Sequence, residues 1–298
     1  MKYQSPFKLF EELGIDRKEV EVHKLPQLEK RLLLELELTN GPYLQLPSGH
    51  VTKNDVLNLF EQLKTAGNLE YHLTLHEKYP QLLTFLVSGE FDERRSIVGP
   101  QSDLHHNDDF RRFVSPYLKD IIRKQLNFYF NQRSFRKAFR IVELTTLLSA
   151  EDRTSAFDKL AGSVNQLLDT ISALATGDLP IDIKKYAFLH HDHFILFMNE
   201  LPEEFTSSRE KLAIKVNNLG VQFQEKELKF IYLLFMALRT LKCSEYMYQT
   251  IYSNGEILSE NYRRSSENDD QSEEAGCSWV SLLGLIPLLL IILRACNG

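Results

Sequence analysis

Apolar residues recur three and four positions apart along most of this chain, the spacing of one helical face. The clearest case is Val56, Leu59, Phe60 and Leu63, a stripe that follows Thr52, a side chain suited to cap a helix start. Ser5 and Pro6 open a shorter helix that Gly14 closes. Leu25 to Leu38 reads as helix because LEKRLLLEL is built of strong helix formers and Asn40-Gly41 is a good stop. The alternative there is a β-hairpin near 32–46, since Leu34 to Leu38 alternates and Asn-Gly precedes Tyr43-Leu44-Gln45-Leu46. Pro47-Ser48-Gly49 reads as a loop. Two short helices are expected near Leu69 to Lys78 and Gln81 to Val87.

From Gly89 to Asp109 the period fades and Gly99-Pro100 interrupts, which marks a boundary. Beyond it the spacing predicts helices over Phe110 to Phe130, over Ser134 to Leu148, and from a Ser149 cap to Ala175, with Gly177-Asp178-Leu179-Pro180 as a break. Further helices are expected over Asp192 to Leu201, from Pro202-Glu203-Glu204 to a stop at Asn217-Asn218-Leu219-Gly220, and over Glu225 to Tyr252, ended by Ser253-Asn254-Gly255. The fold class is therefore mostly α, a bundle-like multi-helix body. It divides into an N-terminal helical subdomain at 1–89, a boundary at 90–109 and a second helical subdomain at 110–255.

The pattern changes twice near the C-terminal end. Residues 256–278 are polar and acidic: between Gly255 and Ser278 seven acids stand against Arg263 and Arg264. Such a stretch buries too little to offset its ordering entropy and reads as a disordered tether. Then comes WVSLLGLIPLLLIIL, Trp279 to Leu293, without a charge and apolar on every side. A bilayer core about 30 Å thick takes about 20 helical residues. The apolar run is shorter, but 279–296 reads as a transmembrane tail anchor because Arg294 can snorkel and Trp279 suits an interface. Gly284 and Pro287 are tolerated in membrane helices. The residues facing lipid would be Trp279, Leu283, Leu285, Leu289, Ile291 and Leu293. The competing reading is a helix buried in the body or docked on a partner.

Composition sharpens this. With 298 residues and 43% hydrophobic content the chain can bury a sizeable core. The net charge of −6 sits mainly in the acidic stretch. MKYQSPFKLFEELGID has no apolar signal core, so the expected location is a membrane, single-pass, with the body facing the cytosol. Three cysteines do not make a disulfide framework. Cys277 and Cys296 flank the apolar run and are candidates for acylation or plain thiols.

Two constellations carry candidate chemistry. Between Arg111 and Arg140 nine basic residues face Asp120 alone. Arg133, Arg136, Lys137 and Arg140 fall on one helical stripe, opposite Phe135, Ala138, Phe139 and Val142. That stripe suits anionic lipid headgroups, a protein partner or the acidic stretch folded back. Nucleic acid is the weakest of its partners, because the aromatics have core spacing. The plain alternative is a solvated face. His190-His191-Asp192-His193 resembles a metal box through His190 and His193, but a catalytic zinc wants three protein ligands, and only His105, His106, Asp108 or Asp109 could complete it. Phosphate loops, nucleophile elbows, HExxH and paired CxxC motifs are missing, and no cofactor is implied. The sequence points to a tail-anchored adaptor or scaffold, with a homo-oligomer among the partners it allows. A bilayer-perturbing effector and a metal-dependent enzyme are the other classes.

Overall fold

A computed structural model describes residues 3–39, 41–47, 49–99, 102–177 and 182–271, with side chains to Ser265. Among the described residues it contains thirteen α-helices and one two-stranded antiparallel sheet. The chain divides into two compact units: residues 1–125 with 143–157, and residues 126–142 with 158–298. The chain passes between the units at 125–126, 142–143 and 157–158, each time within a helix.

The first unit begins with α1 (Pro6–Glu12), whose Lys8 N–H donates to the Ser5 hydroxyl at 3.4 Å. Helix α2 (Leu25–Leu38) buries Leu25, Leu28, Leu32 and Leu36, which settles the helix-or-hairpin question for that stretch. The hairpin exists but lies further on. Strands β1 (Tyr43–Leu46) and β2 (Gly49–Thr52) pair with Leu46 opposite Gly49, so Pro47 follows directly on a strand rather than standing in a simple loop. Gly49 sits at φ +136, a value that favours glycine. Thr52 then caps α3 (Lys53–Lys64) in a reciprocal box: the Asp55 N–H donates to the Thr52 hydroxyl at 3.2 Å and the Thr52 N–H to the Asp55 carboxylate at 2.9 Å. The α3 stripe Val56, Leu59, Phe60 and Leu63 packs with Phe7, Phe10 and the α2 leucines into one apolar cluster. Helices α4 (Asn68–Lys78) and α5 (Pro80–Ser88) follow, and α6 (Asp108–Asn131) gives this unit its residues up to Gln125.

The second unit takes the end of α6, α7 (Phe135–Glu143) up to Val142, and α8 (Ala150–Thr176) from Asp158. It continues through α9 (Ile183–Tyr186), α10 (Asp192–Glu200), α11 (Thr206–Phe223), α12 (Leu228–Leu238) and α13 (Glu245–Gln271). Phe135 lies 4.9–6.0 Å, centroid to centroid, from Phe194, Phe188, Phe130 and Phe197, an aromatic centre for this core. The buried Arg209 donates to the carbonyls of Met198 and Leu201 at 3.2 and 3.0 Å, satisfying the end of α10.

Three expectations need correction here. The long helix over Glu225 to Tyr252 is two helices. Between them Asn199 accepts the Lys242 N–H and donates to the Thr240 carbonyl, both at 2.7 Å, while the Glu210 carboxylate accepts from Ser244. Conversely, α11 runs through the supposed stop at Asn217-Asn218-Leu219-Gly220. Helix α13 likewise runs through Ser253-Asn254-Gly255 and on to Gln271, well into the stretch read as a disordered tether. The two false stops explain each other: Asn254 Nδ2 donates to Asn217 Oδ1 at 2.6 Å, buried between the helices that carry them. Ile251 and Leu258 are also buried, and Tyr262 stacks on Tyr232 with ring centroids 4.9 Å apart. A tertiary partner thus overrides the local preference of asparagine and glycine for helix ends.

No described helix is long and apolar enough to cross a membrane. The proposed anchor residues Trp279, Leu283, Leu285, Leu289, Ile291 and Leu293, with Cys277 and Cys296, lie outside the described residues.

Candidate functional site

The basic stripe survives in part. Helix α7 turns Phe135, Ala138, Ile141 and Val142 inward, as a 3.6-residue period requires. Arg136 is exposed on the other side, Lys137 Nζ sits 5.6 Å from the centre of the Tyr129 ring, and Arg140 is engaged within the protein. Arg133 does not belong to the stripe. It precedes the helix with φ +57, in the left-handed region, where the Ser134 N–H donates back to the Tyr129 carbonyl at 2.9 Å to close α6. That conformation costs a non-glycine residue about 1 kcal/mol. Its guanidinium lies 4.2 Å from the Phe188 ring centre, a cation–π contact of comparable size. Phe128, in the last turn of α6, is 55% exposed and packs edge-on to Tyr129. The second unit therefore exposes Phe128 and Arg136 on a segment, 126–142, that contains no acid.

The histidine boxes do not assemble. His190 ends a tight helical turn with its ring against His191 and Phe230, and burial lowers its pKa, helped by His191. His193 is exposed on α10. His105 is occupied by Thr146 at 2.8 Å and the Gly99 carbonyl at 3.2 Å, and Asp108 and Asp109 by Arg111 and Arg112. Among the described residues no three metal-binding side chains come together.

Sequence reasoning missed a cleft of about 550 Å³ in the first unit, lined by Gln62, Asn68, Tyr71, Arg112, Phe113 and Tyr117 together with Ala66, Asp109 and Pro116. The α3–α4 turn builds one side. Asn68 Nδ2 donates to the Gln62 carbonyl at 2.9 Å, and Gly67 at φ +83 admits the Tyr71 ring where a Cβ would meet it at 3.3 Å. The first turns of α6 build the other, with Phe113 and Tyr117 four residues apart on one face. Tyr71 and Phe113 lie 5.4 Å apart and Phe113 and Tyr117 6.0 Å apart, which makes a continuous aromatic shelf. The Tyr117 hydroxyl donates to Gln62 Oε1 at 2.9 Å, so the Gln62 amide nitrogen is left for another acceptor. Arg112 and Asp109 pair at 3.4 Å, leaving the rim without net charge. Pro116 brings no N–H to the Arg112 carbonyl, the acceptor that a helical ladder would fill from that position.

Behind the shelf is a buried polar pair. The Tyr3 hydroxyl and His72 Nδ1 are 2.8 Å apart, and both residues are 1% exposed. Phe113 meets the His72 ring edge-on at 4.8 Å, Tyr117 meets Tyr3 at 5.2 Å, and His72 Nε2 has no partner. Burial pushes the His72 pKa down to about 3, so the ring is neutral at physiological pH, and burial raises the Tyr3, Tyr117 and Tyr71 phenols. Only Pro116 inside a helical pattern signalled any of this in the sequence. No family model, no curated protein and no solved structure matches the chain.

Proposed function

We propose that this protein is a membrane-anchored adaptor: a helical body that engages other molecules through its surfaces and is held at a bilayer by the apolar run from Trp279 to Leu293. The observation that carries the reading is the uncharged stretch itself, which follows α13 within a few residues of sequence. That helix is packed into the second unit through Ile251, Leu258 and Tyr262. Eight backbone steps separate Gln271 from Trp279, a reach of at most about 28 Å, so the second unit works near the membrane. Phe128 suits an interface, and Arg136 and Lys137 suit anionic headgroups, at about 1 kcal/mol per basic residue near the surface.

Carbonate extraction tests the anchor. The full chain stays in the membrane pellet, whereas a chain lacking residues 277–298 is released. Release of both removes the reading. In the shortened chain, Arg136→Glu with Lys137→Glu lowers flotation with phosphatidylserine vesicles, and unchanged flotation discards the lipid role of α7.

A further inference from the structure

We propose that the cleft of the first unit is a binding site for a short, extended peptide segment of a partner protein, anchored by one proline or aromatic residue on the Tyr71–Phe113–Tyr117 shelf. Its volume is within the range of sites that hold a small ligand or a few residues. The class of ligand follows from which hydrogen-bonding groups are left over. The Gln62 amide nitrogen is a donor without an acceptor, because its oxygen is taken by Tyr117. Asn68 Oδ1 is an acceptor, because its nitrogen is taken by the Gln62 carbonyl.

One amide donor and one amide acceptor beside an apolar wall match what an extended backbone carries: a C=O group for the donor and an N–H group for the acceptor. The Asn68 acceptor requires a free N–H group, so an uninterrupted polyproline run fits less well than a mixed sequence with a single ring residue. Charge narrows the choice further. Arg112 is balanced by Asp109, so the cleft offers no net attraction to a phosphate or to an ammonium group. Contact between neighbouring shelf rings leaves no gap between them for a stacked base, and a side chain docks across their common face. The buried Tyr3–His72 pair holds the shelf from behind through Phe113 and Tyr117, which pre-organises it.

The claim that the ligand is a protein segment rests on the adaptor reading, while the binding itself does not depend on the membrane. The test is therefore made on the full chain in detergent micelles, by selecting a random-peptide phage library on it and titrating the enriched peptides calorimetrically. Ala66→Trp fills the cleft from an exposed turn position and serves as the matched control, with circular dichroism verifying that it remains folded. The enriched peptides share a proline or aromatic position, and their affinity falls about ten-fold or more on Ala66→Trp and on Gln62→Ala. Methylating the backbone nitrogen next to the anchor residue causes a loss of similar size. Equal enrichment on the wild type and on Ala66→Trp overturns the proposal, as does a cleft that takes indole or adenine but no peptide. A chain that carbonate extracts from membranes but that still binds these peptides loses the anchor and keeps the site.

Discussion

Each unit buries a polar pair, and the pairs differ in kind. In the first, the Tyr3 hydroxyl meets His72 Nδ1, and His72 Nε2 is left without a partner. In the second, Asn254 donates to Asn217, and Asn254 Oδ1 is left without one. Both pairs join segments far apart in sequence, and both leave a single atom unsatisfied, at a cost of about 1–3 kcal/mol. The histidine can take up a proton and the amides cannot. The first unit therefore carries an acid-sensitive element at its polar contact, whereas the second has a contact indifferent to pH.

That difference has a sign and a size. The folded His72 pKa of about 3 lies below the ordinary value of 6.5. Between those values the unfolded chain binds a proton that the folded chain refuses. The stabilisation is complete above pH 6.5 and is lost as pH falls toward 3, reaching about 4 kcal/mol near pH 3.5. The largest effect expected is thus a steep acid destabilisation of the first unit, read by hydrogen exchange of α4 amides alongside urea unfolding. His72→Gln keeps a group for Tyr3 but has nothing to titrate, so it flattens this part of the pH dependence. Identical slopes in the two proteins would break the contrast between the units.

A second difference concerns how closely the backbones approach. A Cβ on Gly220 would stand 2.5 Å from the Phe235 ring, so α11 and α12 meet at a distance that only glycine permits. Gly220→Val forces the ring or the helix to move and costs about 3 kcal/mol, measured by urea unfolding, with the loss of protection confined to α11 and α12 amides. Loss spread equally into α2 and α3 would mean that the units do not respond separately.

Local signals predicted the fold well where local chemistry decides it. Thr52 with Asp55, Ser149 ahead of α8 and Gly177 behind it are caps whose partners lie within a few residues, and each stands where its pattern placed it. The pattern failed where a residue's partner is distant. Asn217 and Gly220 resemble a helix stop, as do Asn254 and Gly255, until Asn217 and Asn254 find each other across 37 positions and Gly220 finds Phe235. The cleft was hidden for the same reason: Gln62 and Tyr117 are 55 positions apart, and neither has chemistry that marks it alone. Arg133 looked periodic with the α7 stripe because spacing does not reveal that the backbone reverses at that residue.

The smallest of these effects isolates the second unit's pair. Asn217→Ala removes the acceptor, and the Asn254 amide, already lacking a partner at Oδ1, then has none at Nδ2 either. The cost is about 2 kcal/mol, mostly the penalty of a dry, unpaired amide rather than the value of the bond that was lost. Removing both partners as Asn217→Ala with Asn254→Ala also removes the stranded group, so the double variant is less destabilised than the sum of the single ones, a coupling of about 1 kcal/mol by double-mutant cycle. Because neither amide titrates, the coupling has the same value at pH 7 and at pH 4, where the His72 contact has already weakened. Strict additivity would show that Asn217 and Asn254 are independently solvated. Helix α13 would then owe its passage through Ser253-Asn254-Gly255 to Ile251 and Leu258 packing alone.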